Sequence, residues 1–205
     1  MDLQVEAMEV QFHLAADLHK SVSVHVVQAW GPFMEVLQRI KTSRLNIVFG
    51  SSSDKRKINR KQRLLERKLK RDGDLEHVDD INMERRFLWP RNIYFHSFGG
   101  KPAVIDQLDA MLGRSVNADH GVSIPGCQLY FGFAPVINFR SPKTSEVIKK
   151  VGLHRLVLET DLEEYSDMVD DLHRGVGYIA EALHVDHDSV VKQTLANAKQ
   201  LYNIT

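Results

Sequence analysis

The chain has 205 residues, 43% of them hydrophobic, which suits one domain with a sizeable core. Its 27 basic and 27 acidic side chains cancel, excluding a global field that would draw it to nucleic acid or to a membrane surface. A single cysteine, Cys127, excludes an internal disulfide, fits a reducing compartment and reads as a small buried filler. No apolar run approaches the roughly 20 residues of a membrane span, and the first residues lack the pattern of a signal peptide. The expectation is a cytoplasmic or nuclear chain with no membrane partner.

In chain order, helical spacing covers Val5 to Lys20, with Val10, Leu14 and Leu18 recurring every four residues and Phe12, Ala15 and Ala16 widening the apolar face. The run Val22-Ser23-Val24-His25 predicts a strand, and Gly31-Pro32 starts a helix carrying Phe33, Val36, Leu37 and Ile40. The character then changes. Ser51-Ser52-Ser53 is a connector, residues 54–71 are dominated by Lys and Arg, and residues 72–80 turn acidic, so 41–92 reads as a charged, mobile insertion that buries little.

The compact pattern resumes with a strand from Ile93 to Phe98 and a helix from Pro102 to Leu112 stopped by Gly113. A strand over Gln128 to Phe133, a short helix to Val151 and a strand at Leu156-Val157-Leu158 follow. Met168 to Leu183 and Asp186 to Tyr202 read as two amphipathic helices. Asp186 caps the second, whose buried face is Val190, Val191, Leu195, Ala198 and Leu201. Alternation of strand and helix argues for parallel βαβ units.

Three of these strands end on chemistry-bearing side chains: His25, His96, and the Glu159-Thr160-Asp161 run. Each alone is a weak metal signature and together they make a fair one, because α/β enzymes present their catalytic groups at the carboxyl ends of strands. Arg140, just past the third compact strand, offers a planar fork to a phosphate or is an ordinary surface arginine. Lys55, Arg56, Lys57, Arg60, Lys61, Arg63, Arg67, Lys68, Lys70 and Arg71 suit a nucleic-acid backbone or a nuclear import receptor, and equally a solvated loop. No aromatic residue is interleaved with them, so base stacking is not supported.

Four segments carry a family resemblance: Phe12 to Leu18 followed by Val24-His25, then His96-Ser97-Phe98-Gly99-Gly100, Leu153 to Asp161, and Ala196-Asn197-Ala198-Lys199-Gln200-Leu201-Tyr202. In this order they resemble the TatD-type metal-dependent deoxyribonucleases of the amidohydrolase-like (βα)8 barrels. The resemblance implies that His25 and His96 bind one divalent ion (zinc, manganese or magnesium), while Asp161 binds another and orients or deprotonates the attacking water. It also implies a hydrolase of phosphodiester bonds, a nuclease in origin, with DNA or a protein as partner. The family's H-x-H and its bridging glutamate in G-E-x-G-L-D do not occur here, and the Glu-Thr-Asp runs into Leu162 rather than a small residue and proline. In that register the fold is α/β, a single domain over 1–205 forming a partial (βα)8 TIM barrel. It would hold the equivalents of strands five to eight and carry the charged insertion. The missing motifs leave activity open, and the alternative is a catalytically inactive regulatory or protein-binding fragment of the same fold.

Overall fold

The computed structural model describes residues 3–49, 87–113, 115–117, 122–124 and 126–204. In order these form α1 (Leu3–Asp17), β1 (Val22–Val24), α2 (Trp30–Phe49), β2 (Asn92–Phe95), α3 (Pro102–Leu112), β3 (Ser115–Asn117) and β4 (Val122–Ile124). Then come β5 (Gln128–Gly132), α4 (Pro135–Asn138), α5 (Thr144–Val151), a 3-10 turn (Leu153–Arg155), β6 (Leu156–Val157), α6 (Tyr165–Leu183) and α7 (His187–Tyr202). Strands β1, β2, β5 and β6 make one sheet in that order with every neighbouring pair parallel, in the register Val24 to Phe95 to Phe131 to Leu156. The β3–β4 pair, which the apolar pattern did not announce, is a separate antiparallel hairpin.

Side chains alternate across this sheet, as the two-residue period of a strand requires. Ile93, Phe95, Leu129, Phe131 and Leu156 point into the main core against the helices, whereas Tyr94, Tyr130 and Val157 pack on the opposite face with Leu201 of α7. Phe95 stacks on Phe131 at 5.3 Å between ring centroids, and Phe98 meets Phe131 edge-on at 5.0 Å. That aromatic group fixes the loop leaving β2, which is pinned again where the Phe98 amide donates to the Gly132 carbonyl at 2.9 Å.

Two helices bury faces other than the expected ones. In α1 the buried residues are Phe12, Ala15 and Ala16, while Val10, Leu14 and, just past its end, Leu18 are 65%, 56% and 58% exposed. The helix packs on α2, where two alanines permit close approach, and its stripe runs through the half-buried Val5 and Met8 to Phe12. In α7 the inward positions are Val190, Thr194, Asn197 and Leu201, with Val191 and Leu195 exposed. Asn197 points in because its amide donates to the carbonyls of Leu153 (2.9 Å) and Leu156 (2.7 Å), the first of which also accepts from the Leu156 amide that closes the 3-10 turn. The cap is as expected, with Asp186 accepting from the Ser189 amide at 2.8 Å.

The flanks of the charged stretch also differ. Residues 41–49 continue α2, with Arg44 buried, while Leu88, Trp89 and Asn92 are buried on the far side, so both flanks belong to the packed body rather than to an insertion. Residues 50–86, with Lys55, Arg56, Lys57, Arg60, Lys61 and the rest of the basic run, lie outside the described residues.

Candidate functional site

Because β1, β2 and β6 are parallel and share a sheet, the residues just beyond them emerge at one end. His25 follows the last residue of β1 and His96 the last of β2, and the His96 amide donates to the Val24 carbonyl at 3.0 Å. Their rings lie 5.4 Å apart, tilted by 42°. Past β6, Asp161 brings Oδ1 to within 3.3 Å of His96 Nε2. The structure thus brings His25, His96 and Asp161 together at the carboxyl ends of the strands. It leaves Arg140 exposed beyond α4, in no ion pair with this cluster among the described residues.

A fourth residue completes the cluster. Glu159 opens the same acidic run as Asp161 but turns inward, its side chain 8% exposed against 37% for Asp161. His96 Nδ1 lies 2.7 Å from Glu159 Oε2, an oxygen that also accepts from the Tyr94 hydroxyl, and the Ser97 amide donates to Oε1 at 2.7 Å. Sequence reasoning placed its weight on Asp161 and passed over Glu159. The available signal was position, since the acid nearest the buried run has the least room to reach solvent.

Burial works against an imidazolium at His96. The charge and hydrogen bond of Glu159, joined by those of Asp161, outweigh it and hold the His96 pKa above the usual histidine value. Burial first, and the Glu159 carboxylate second, push the Tyr94 phenol far above the ordinary tyrosine range, so it remains a proton donor.

Imidazole and carboxylate are suitable donors for a zinc- or manganese-class ion. Among the described residues, however, no three His, Cys, Asp or Glu side chains stand close enough together to hold one. His96 has both ring nitrogens beside carboxylates, so the donors among the described residues do not by themselves fit a metal ion.

The family model for TatD related DNase matches residues 70–203. The chain belongs to that family. The match includes His96, Glu159 and Asp161 and leaves His25 outside it. Among curated proteins, Cut9-interacting protein scn1 of Schizosaccharomyces pombe is 24% identical over the whole chain, which spans about half (52%) of that relative's length. Among solved structures, a TatD-family hydrolase from Entamoeba histolytica superposes with a TM-score of 0.53 at 12% identity, covering 98% of this chain and 56% of the other. An uncharacterized amidohydrolase from Saccharomyces cerevisiae gives 0.58 at 15% identity, covering 97% and 59%. These similarities show the fold: a four-stranded parallel sheet that is about half of a TatD-type barrel. Family membership supports a hydrolase of this general class. None of the described helices is long and apolar enough to cross a membrane.

Proposed function

We propose that His25, His96 and Asp161 are one half of a TatD-type hydrolytic site whose target is the phosphodiester bond of DNA. The contact of His96 with Asp161 at the carboxyl ends of β2 and β6, parallel strands with β5 between them, and with His25 beside His96, carries this reading. That end of an α/β barrel is where chemistry is done. Hydrolysis requires a water to lose a proton as it attacks phosphorus. Asp161, open to solvent and adjacent to His96, is the carboxylate positioned to receive it. TatD-type enzymes support that proton loss with divalent ions, and the donors among the described residues do not close around one. Losing a single charge-stabilising group commonly costs about 10²–10³ in rate. The chain alone is therefore expected to cleave at or near background.

The assay incubates purified chain with zinc, manganese or magnesium and single-stranded DNA, alongside His96→Ala and Asp161→Ala. Trace cleavage lost in both variants supports the site. Cleavage that survives both removes it from consideration, and robust cleavage abolished by both would show a site completed by further groups.

A second reading is favoured by the relative's printed name, which describes an interaction with a protein. On that reading the chain keeps the barrel surface to bind a protein partner and has given up turnover. Affinity capture with the His96→Ala, Asp161→Ala double variant then recovers the same partner as the unaltered chain. Loss of capture in the variant counts against it.

A further inference from the structure

We propose that Glu159 is the positioning residue of this site, holding the His96 ring so that Nε2 faces Asp161 and His25. The inference rests on reading the strand-end cluster as functional, and it adds a residue from which nothing is asked by way of ion binding or proton transfer to substrate.

Three departures from ordinary local structure converge on this carboxylate. The Glu159 side chain is only 8% exposed, yet no lysine or arginine pairs with it among the described residues. Burying an anion is costly unless donors surround it. Here they are the Tyr94 hydroxyl, His96 Nδ1, the Ser97 amide at 2.7 Å and the Ser97 hydroxyl at 3.3 Å. Next, Ser97 occupies the left-handed region at φ 46°, where a residue with a Cβ is disfavoured and persists only when its surroundings impose it. That turn aims its amide at Glu159. Finally, β5 ends in Gly132, where any Cβ would collide with the Glu159 carboxylate and the Tyr94 hydroxyl. Three strands are shaped around one acid: β2 supplies donors and a strained turn, β5 yields space, and β6 delivers the group.

A tie between strands could use Tyr94 and Ser97 alone. What exceeds that need is the contact with Nδ1. When Nδ1–H of a neutral ring donates to Glu159, the lone pair must sit on Nε2, the atom turned toward Asp161. Such buried partners of a ring nitrogen set both its tautomer and its orientation.

The test reads His96 directly, by nitrogen-15 imidazole NMR of the full chain at alkaline pH, where the ring is neutral. The unaltered chain is expected to show a single Nδ1–H tautomer. Glu159→Ala should lose it in favour of Nε2–H or a mixture. Glu159→Gln, whose amide oxygen still accepts from Nδ1–H, should retain part of it. Gly132→Ala, which keeps the acid but fills its space, should shift the ring in the same direction as Glu159→Ala. An Nε2–H tautomer in the unaltered chain overturns the proposal without need of any variant that might not fold, as does an unchanged ring in Glu159→Ala. Absence of DNA cleavage leaves this readout intact. A failed tautomer alongside cleavage that depends on Asp161 would remove Glu159's role and spare the functional reading.

Discussion

Arg44 is 1% exposed, and its guanidinium bonds both the Phe87 carbonyl and Asp17, the latter at 2.5 Å. The two partners differ in consequence. Asp17 stands in solvent, so Asp17→Asn should cost under about 1 kcal/mol. Arg44→Met strands a carbonyl that was paired in a closed site, and should cost about 2–3 kcal/mol in urea unfolding. Beside them His13 accepts or donates at Nε2 with Ser43 at 3.2 Å, while its buried Nδ1 has no partner among the described residues. Burial, and then the Arg44 charge, lower the His13 pKa below 6.5. The unfolded chain therefore takes up the proton more readily, so this contribution to stability is complete above pH 6.5 and declines as pH falls toward the folded value. His96 runs the other way: its raised pKa adds stability that is full below 6.5 and lost as pH rises through its folded value. His13→Gln should flatten the loss of urea midpoint between neutral and mildly acidic pH. An unchanged slope would exclude His13 as its source.

Among the elements, α7 shows most clearly what an apolar pattern misses. Leu195 sits on the hydrophobic stripe that spacing selects and is 56% exposed, whereas the polar Asn197 is 1% exposed. Leu195→Gln should change stability by no more than about 0.5 kcal/mol. Asn197→Leu, which improves the stripe, should cost about 2–3 kcal/mol because the Leu156 carbonyl loses its side-chain donor and the Leu153 carbonyl keeps only the Leu156 amide. Thermal unfolding of the two variants separates the accounts, and the reverse ranking would show that the helix packs on the face the pattern chose. The boundaries of β1, α3, β5 and α7 were legible to within a few residues, because capping, Pro-Gly punctuation and strand alternation are local. The inward faces of α1 and α7 were not. Each helix carries more apolar residues than its neighbours can cover, and which ones are covered depends on partners distant in sequence.

For the whole molecule, the sheet is four parallel strands whose outer members β1 and β6 each pair on one side only among the described residues. Free parallel edges, the exposed Val10 and Leu14 of α1 and Leu18 just beyond it favour association. The chain should sediment with concentration-dependent mass. Val10→Glu with Leu14→Glu should weaken that association and leave the melting temperature nearly unchanged, since neither residue is in the core. Strictly monomeric behaviour over a wide concentration range would contradict the expectation.

The sequence by itself determined the alternation of strand and helix, three strands followed by His25, His96 and the run to Asp161, and the motifs shared with the TatD family. These are properties of short segments, and short segments suffice to express them. Only the tertiary structure decided that the three residues meet, because parallel register is a relation between strands far apart in the chain. It alone also set Glu159 apart from Asp161. Both are carboxylates of one short run with the same local propensities, and what separates them lies elsewhere: a glycine at the end of β5, a tyrosine within β2 and the turn that follows it. Whether an acid is buried and donor-bound or solvated is a property of the space folded around it.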